Sequence, residues 1–285
     1  EPVVLYRRED GTPVAMDDRC CHRRAPLSKG RVEGDCLRCG YHGFLFEPGG
    51  QCVWVPGTDR IPSAARVRAY PVVERHRWIW IWMGDPALAD PARIPDFRHN
   101  QQPGWVSTGS CLPVKSSYLY LVENLLDLSH VAFLHANTIG SAGDTNPNLD
   151  WQRTDAFVRG TRVARGIPPS PRNRASGITS PLDVTKVMTF LPPCHVTIEI
   201  SQVESGKAPD ASSFNLHSMI LNSMTPETAT TCHYFWASAR DYDLENAELT
   251  RFVLDITTKA FLEDCDMLEA QQAIVDRSEE HTSEL

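Results

Sequence analysis

Four cysteine and histidine residues near the start of the chain have the spacing of ligands for a metal cluster. Cys20 and His22 form a C-x-H pair, and after sixteen residues Cys39 and His42 complete a C-x2-H segment. Each short loop therefore offers one thiolate and one imidazole. A [2Fe–2S] cluster with two Cys on one iron and two His on the other needs these four groups, and its neutral imidazoles raise the reduction potential. The spacing predicts a centre that accepts electrons.

A Cys2His2 zinc site is the alternative, because it uses the same types of ligand. Zinc fingers usually pair like with like, as C-x2-4-C followed by H-x3-5-H. Here each loop mixes one Cys with one His. The flanking residues are Gly40, Gly43, Pro26 and Pro48 instead of a helix that carries both histidines. The mixed pairs favour the iron–sulfur cluster.

A second group of potential ligands follows in the middle of the chain. Asp127, His130 and His135 form the pattern D-x2-H-x4-H. Two imidazoles and one carboxylate make the 2-His-1-carboxylate triad of non-haem Fe(II) oxygenases, which leaves open positions for O2. Positions five apart on an α-helix differ by roughly 140°. We therefore expect a π-bulge or a helix end between Val131 and Leu134, which would bring both imidazoles to one iron.

The carboxylate of such a triad must come from a distant segment. Three acidic residues lie close together far downstream, at Glu263, Asp264 and Asp266. On a helix, Asp264 shares a side with Phe261 and Leu268, the predicted buried stripe, whereas Asp266 lies on the other side. A carboxylate on an apolar face needs a partner, and a metal ion is a suitable one. Residue chemistry alone leaves all three carboxylates open.

Both ligand groups, in this order, resemble the Rieske non-haem iron oxygenases. The likeness is carried by residues 20–27 (CCHRRAPL), 39–43 (CGYHG) and 124–135. Cys21 stands where the family usually has Pro, which adds a third thiol beside the cluster and removes no ligand. The family's E-D-x3-L-E-x-Q segment implies Asp264 as the third iron ligand. The resemblance thus implies a [2Fe–2S] cluster on Cys20, His22, Cys39 and His42, and a mononuclear Fe(II) on His130, His135 and Asp264.

The resemblance also implies a role for Asp127. It precedes His130 by three residues, so on a helix both side chains would point to one side. In the family, an Asp at this position bridges a cluster histidine of the neighbouring subunit and an iron-ligating histidine. A carboxylate bonded to two imidazoles orients both rings and offers a path for electrons. We therefore expect a ring of three subunits, with Asp127 and Asn124 as catalytic residues.

Further segments narrow the resemblance to aryl methyl ether demethylases of the vanillate O-demethylase type. They are residues 190–199, 225–230, 234–240 and 261–272. In the implied reaction, two electrons arrive through the Rieske centre, O2 is reduced and one oxygen atom enters the methyl C–H bond. The resulting hemiacetal collapses to a phenol and formaldehyde. The active site must hold the methoxy carbon near the iron and exclude unproductive O2 reduction.

The sequence also bears on the electron source and on the residues that bind the aromatic substrate. No Gly-rich dinucleotide fingerprint follows a predicted strand, so NAD(P)H is expected to act only through a separate flavin and iron–sulfur reductase. His217, Asn222 and His233 lie on predicted strands and are candidates for binding a substrate carboxylate or phenol. Alternatives are another Rieske ring-hydroxylating oxygenase or methyl monooxygenase, or, from another class, a Rieske electron carrier or zinc-stabilised binding module. The predicted second metal site argues against the last class.

Two domains are predicted to position these sites. Residues 1–95 are expected to form an all-β Rieske domain, with hairpins at Asp10-Gly11 and Gly49-Gly50 and a buried strand at 78–83. Residues 96–276 are expected to form an α+β domain of the helix-grip (START-like) type, in which a long helix closes over a curved sheet. The predicted elements of this domain are a helix at 115–135, a loop at 137–147, an irregular segment at 167–181, strands at 184–191, 195–203, 213–222 and 228–239, and the long helix at 244–276.

Composition excludes several other functions. A formal net charge of −8 and a pI near 5.7 argue against binding to nucleic acids or anionic membranes. Nine cysteines without a secretory signal favour free thiols in a cytoplasmic protein. The first residues lack an initiator Met, so we expect a missing N-terminal piece. The last nine residues, 277–285, resemble a non-native adapter-derived tail.

Overall fold

The computed structural model describes residues 1–140, 149–207 and 215–282, with side chains through residue 278. Contacts divide the chain into two compact units, Glu1–Ile94 and Pro95–Leu285. The division lies one residue from the domain boundary that the sequence predicts. The first unit contains the cysteine and histidine pairs, and the second contains the three residues of the predicted iron site.

The first unit is built from short antiparallel strands. One sheet has the order β1-β2-β7, a second has the order β3-β4-β5-β6, and β8 pairs with β9. Both predicted hairpins are confirmed, because β1 pairs with β2 and β5 pairs with β6. The strands are β1 (Val3–Arg7), β2 (Pro13–Asp17), β3 (Arg31–Glu33), β4 (Cys36–Arg38), β5 (Leu45–Phe46), β6 (Cys52–Trp54), β7 (Ala69–Tyr70), β8 (Val72–Arg75) and β9 (Trp78–Ile81).

The tryptophan-rich strand β9 differs from its prediction. It is confirmed as a strand, but none of the side chains from Trp78 to Met83 is buried. Among the strands that the structure describes, β9 pairs with β8 alone, in a two-stranded sheet. A strand in such a hairpin lacks the second neighbour and the covering layers that bury both faces of a central strand. The expectation of a fully buried strand is therefore wrong.

The second unit is organised around one seven-stranded antiparallel sheet with the order β10-β16-β15-β14-β13-β12-β11. The four strands predicted from apolar runs are present as β13 to β16. The sequence reading missed β10, β11 and β12, which lie in segments with weak alternation. The strands are β10 (Val106–Val114), β11 (Leu149–Arg153), β12 (Val158–Ile167), β13 (Leu182–Leu191), β14 (His195–Glu204), β15 (Asn215–Pro226) and β16 (Cys232–Arg240).

The described residues of this unit form four α-helices. α1 (Tyr118–Leu126) packs on β13, β14 and β15, and the long helix α4 (Ala247–Thr282) packs on β10 and β16. α2 (Val131–Leu134) and α3 (Pro171–Ala175) are short. α3 lies within the segment that the sequence predicts to be irregular. The predicted loop at 137–147 falls largely outside the described residues.

The single helix expected at 115–135 is broken in two places. The backbone leaves the helix at Asp127 (φ −105°, ψ 87°) and continues as a 3-10 turn, Leu128–His130, before α2 begins. The Asp127 carboxylate accepts a hydrogen bond from the Ser129 N–H at 3.0 Å. Asp is a favoured N-cap residue because its carboxylate satisfies such an unpaired N–H. One residue thus ends α1 and caps the next turn.

The core of the second unit lies between the sheet and the helices. Leu121 and Leu125 of α1, Phe261 and Leu268 of α4, and Trp236 of β16 are all buried in one cluster. The α+β fold class is thereby confirmed. Within the described residues, no helix is both long enough and apolar enough to cross a membrane.

Candidate metal centres and substrate cavity

The two Cys–His loops of the first unit share one backbone hydrogen-bond pattern. The Cys20 N–H donates to the carbonyl of Ala25, and the Cys39 N–H donates to that of Phe44. The carbonyls of Cys20 and Cys39 accept from the residues four positions on, Arg24 and Gly43. Both of these residues have left-handed backbones, with φ of 59° and 76°. The loops are therefore near-repeats that present one Cys and one His each.

The arrangement of the four side chains fits a two-iron cluster. Cys20 and Cys39 are both 2% exposed, and both lie in the hydrophobic core cluster of the first unit. Burial, above all, raises the pKa of Cys20 to about 11, and metal coordination would deprotonate the thiol. His22 and His42 are exposed, with ring centroids 4.8 Å apart. Two buried sulfur ligands and two exposed imidazoles would supply the Cys2His2 donor set of a Rieske [2Fe–2S] cluster.

A single zinc ion fits these loops less well. Within the described part of the chain, only His130, His135 and Asp264 bring three ligand atoms close enough for one metal ion, with all three atoms within 4.8 Å of one another. The Cys20–His42 set does not converge in this way, whereas a cluster of two irons spans more widely separated ligands. Cys21 is exposed beside the ligands.

The predicted iron ligands of the second unit meet at one point. Asp264 Oδ1 lies 3.4 Å from His130 Nε2 and 3.1 Å from His135 Nε2. His135 and Asp264 are buried, at 1% and 2% exposed. The imidazoles share this site because α2 ends at Leu134 and His135 lies beyond it, with φ −100° and ψ 22°. The predicted helix end is confirmed at the last residue of the expected interval; the break at Asp127 was not predicted.

The second nitrogen of each imidazole is held by an oxygen acceptor. His130 Nδ1 lies 2.7 Å from the carbonyl of Asp127, and His135 Nδ1 lies 2.8 Å from Glu263 Oε2. Each Nδ1 thus faces an acceptor oxygen and each Nε2 faces the Asp264 carboxylate, so a metal ion between the Nε2 atoms and Asp264 would leave the imidazole protons on Nδ1. Three electron-rich atoms converge, which is the donor set of a 2-His-1-carboxylate iron site.

The charges around the site support the same assignment. Burial alone would raise the pKa of Asp264, but hydrogen bonds from His130 and His135 hold it below its usual value. Burial alone would lower the pKa of His135, but Asp264 and Glu263 raise it. The structure thus favours an anionic Asp264 close to a site that attracts positive charge, as a cation-binding carboxylate requires.

The remaining acidic candidates occupy different positions. Glu263 contacts Nδ1 of His135, the nitrogen turned away from Asp264, and also accepts a hydrogen bond from Thr138 Oγ1 at 2.9 Å, so it holds the His135 ring in place. Asp266 is exposed. Sequence reasoning had kept both as possible ligands and had not identified Thr138.

Asn124 and Asp127 both lie beside the iron site. Asn124 Nδ2 donates to Asp264 Oδ1 at 3.0 Å and lies 3.5 Å from His130 Nε2. Asp127 contacts His130 through its backbone carbonyl. The regular helix expected to carry both Asp127 and His130 is interrupted, because α1 ends at Leu126 and a 3-10 turn follows Asp127. The Asp127 carboxylate caps the following turn.

A cavity opens from the iron site between the helices and the sheet. It encloses about 150 Å³, a volume that accommodates a benzene ring in an engineered cavity of another protein. Asn124, His130, His135 and Asp264 line it on the metal side. Most other lining residues are apolar, and they include Leu128, Val131, Ile139, Val184, Ile198, Ile200, Ile220 and Phe261.

None of the three strand residues predicted to bind substrate lines this cavity. The strand neighbours of His217 and His233 are buried, and successive strand residues point to opposite faces, so both histidines face away from the core. His217 Nδ1 lies 3.1 Å from Ser201 Oγ. Asn222 is fully buried, and it donates to the Val196 carbonyl and accepts from Tyr234 Oη. Asn222 therefore supports the core. The further polar residues that line the cavity were not predicted, and they are Thr138, Ser170, Arg172, Asn173, Lys186, Gln202, Ser218 and Thr257.

Two protein-family models match the chain. Residues 1–71 match the Rieske [2Fe-2S] domain, and residues 114–285 match the vanillate O-demethylase oxygenase C-terminal domain.

Curated relatives and solved structures extend over most of the chain. It is 37% identical to an iron-sulfur subunit of the toluene-4-sulfonate monooxygenase system of Comamonas testosteroni, over 96% of this chain and 81% of the relative. A vanillate O-demethylase oxygenase subunit from Pseudomonas sp. is 36% identical over 95% of this chain and 85% of the relative. The crystal structure of dicamba monooxygenase bound to dicamba has a TM-score of 0.90 at 32% identity, covering 98% of this chain and 82% of that one.

Proposed function

Because the chain belongs to the vanillate O-demethylase type of Rieske non-haem iron oxygenases, we propose that it is the oxygenase component of an aromatic O-demethylase. The observation that carries this proposal is the convergence of His130, His135 and Asp264 at one end of an apolar cavity that is large enough for an aromatic ring. Relatives named vanillate O-demethylase and dicamba O-demethylase support demethylation of a methyl ether.

The overall reaction balances as one methyl ether, one O2, two electrons and two protons giving a phenol, formaldehyde and water. When bound, the Fe(II) supplies O2 activation and the [2Fe–2S] cluster supplies single electrons. The electrons come from a separate reductase, as the term oxygenase component implies for the dicamba enzyme.

The chain's own residues position the substrate and exclude water from the active site. Apolar side chains such as Ile198, Ile220 and Phe261 hold the ring, and orientation of the methyl group toward the ligands lowers the barrier. Asn124 donates to Asp264 and so fixes the carboxylate. Glu263 fixes the ring of His135 through its Nδ1 proton.

Assembly into a homotrimer, with the cluster of one subunit serving the iron of the next, is also part of this proposal. His22 and His42 are exposed, and Asp127 is joined to the ligand His130 through its carbonyl. A neighbouring chain's cluster histidine next to Asp127 would then complete the electron path.

Mixing two inactive variants tests this assembly. Cys39→Ser removes a cluster ligand and Asp264→Asn removes an iron ligand, so each homotrimer is expected to be inactive. Trimers reassembled from both chains should regain activity, because an intact cluster then faces an intact iron site. A monomeric holoenzyme, or mixed trimers without activity, would contradict the proposed electron path.

The function itself is tested with the reconstituted holoenzyme, a flavin and iron–sulfur reductase, NADH and O2. Vanillate is expected to give one formaldehyde and one phenol per O2 consumed. The toluene-4-sulfonate monooxygenase relatives favour oxygen insertion into an aryl methyl group as a second candidate. Turnover of toluene-4-sulfonate to an alcohol, with no formaldehyde from vanillate or dicamba, would replace the first reaction by the second.

A further inference from the structure

One region of the cavity carries cationic and polar side chains instead of apolar ones. Arg172 of α3 lines the cavity and lies next to Arg240, whose pKa is lowered by burial first and by the charge of Arg172 second. Arg240 in turn donates to Thr250 Oγ1 in the first turn of α4. Asp264 lies fourteen residues further along α4, which corresponds to about 21 Å of helix. Arg172 and the iron ligands therefore occupy opposite ends of the cavity.

The Arg172 guanidinium has one nitrogen without an acceptor. Nε donates to Tyr242 Oη at 3.1 Å and one terminal nitrogen donates to Ser238 Oγ at 3.4 Å. The other terminal nitrogen is buried and makes no hydrogen bond in the part of the chain that the structure describes. Buried donors are almost always satisfied, because an unsatisfied one carries the full cost of desolvation. The side chain is thus held in place by two bonds while a third donor stays available.

The neighbouring residues complete a site for an anion. Ser218 lines the cavity and lies directly opposite Arg240 in the β15–β16 register. Lys186 also lines the cavity, and it shares a cross-strand row with Ser218 through Ile200. Asp264 is the one carboxylate among the described lining residues, and it is committed to the metal site. Among the described lining residues, this end of the cavity therefore carries the Arg172 guanidinium and the Ser218 hydroxyl as hydrogen-bond donors.

We propose that this end of the cavity binds the anionic group of the aromatic substrate, a carboxylate or sulfonate, with Arg172 as the principal contact. The free terminal N–H of Arg172 donates to one oxygen and Ser218 Oγ donates to another. From Ile256 to Asp264 the cavity follows eight residues of α4, about 12 Å, which suits one ring with a substituent at each end. The anion site is argued from the cavity itself, and the inference rests on the proposed function only in assuming that the substituent at the opposite end of the ring is the one that reacts.

Anaerobic calorimetry on the holoenzyme tests the charge preference without turnover. Two matched pairs serve as probes: vanillate with vanillamide, and toluene-4-sulfonate with toluene-4-sulfonamide. In each pair the neutral amide keeps the ring and loses the charge. Hydrogen bonds to charged groups stabilise by about 1.5–3 kcal/mol, so the anion of at least one pair is expected to bind roughly 10- to 100-fold more tightly.

Arg172→Met keeps an unbranched apolar side chain and removes the charge and the hydrogen-bond donors. It is expected to abolish the preference for the anion while it changes binding of the amide less than about 3-fold. Arg174→Met is the matched control, since Arg174 lies on the same short helix but is exposed and outside the cavity; it should leave both affinities unchanged. With an anionic substrate that the enzyme converts, Arg172→Met should raise KM far more than it lowers kcat. This is the pattern expected when a contact that is equally strong in the ground state and the transition state is lost.

The outcomes separate this inference from the proposed reaction. Equal binding of anion and amide by the wild-type holoenzyme would overturn the anion site, and this result needs no variant. A preference retained by Arg172→Met, with iron and sulfide contents equal to wild type, would overturn it as well. A third outcome is that the wild type binds the anions preferentially, Arg172→Met abolishes this preference, and no methyl ether yields formaldehyde. This result would support the anion site and refute O-demethylation.

Discussion

Three neighbouring carboxylates on α4 are expected to respond in different ways to loss of their charge. Asp264→Asn should abolish the mononuclear iron, since Asp264 Oδ1 faces both ligand imidazoles at 3.1 and 3.4 Å. Glu263→Gln should weaken Fe(II) binding about 10- to 100-fold, or roughly 1.4–2.7 kcal/mol, because it leaves a neutral acceptor at the 2.8 Å contact to His135 Nδ1. Asp266→Asn should have no effect, because Asp266 is exposed.

The assay is an anaerobic Fe(II) titration against a chromogenic chelator. Labile sulfide and visible absorption report the cluster separately, and both should match wild type in all three variants. Complete loss of the iron in Glu263→Gln, with retention in Asp264→Asn, would refute the ligand assignment. An iron affinity in Glu263→Gln equal to that of Asp266→Asn would refute the orienting role of Glu263.

Three further outcomes are expected. Gly43→Ala should lower the free energy of unfolding by about 1–2 kcal/mol in urea denaturation, since Gly43 has φ +76° and a Cβ is disfavoured there, whereas Arg24→Gly, at the equivalent position, should not be destabilising. Phe261→Ala should cost about 3–5 kcal/mol because Phe261 is buried, and Leu262→Ala, at 48% exposed, should stay within roughly 0.5 kcal/mol. Cys39→Ser should remove the cluster's absorption and labile sulfide and leave Fe(II) binding intact, because the two ligand sets lie in separate compact units.

The proposed cluster ligands can be predicted from sequence because their information is local. Cys20, His22, Cys39 and His42 lie within one short stretch, and residue types with a fixed spacing suffice to indicate the cluster. The third iron ligand required more, since Asp264 is 134 residues from His130. Its place on the buried side of a helix distinguishes Asp264 from Asp266, and the family resemblance is what implies Asp264 over Glu263. The contacts in the structure show why Glu263 is a neighbour of the site instead.

The cavity was not predictable in the same way. Arg172 lies in a proline-rich segment that carries no periodic signal, and only the three-dimensional fold brings it near β15 and β16. The break at Asp127 depends on a capping bond to Ser129 that an apolar repeat does not reveal. Strand β10 was missed because Gly109 and Pro113 interrupt its pattern. Both are tolerated since β10 lies at the sheet edge, where a missing N–H does not disrupt a central ladder.

The distance along the chain between His135 and Asp264 bears on how the protein is made in the cell. The two ligands are 129 residues apart, so at about 5–20 residues per second the ribosome adds Asp264 roughly 6–26 s after His135. The cluster ligands, in contrast, are all present early in synthesis. A nascent chain therefore exposes a complete set of cluster ligands while its second site still lacks a carboxylate. Metal insertion is expected to follow this order, with iron–sulfur assembly open to a growing chain and mononuclear iron reserved for a chain that has synthesised and docked α4.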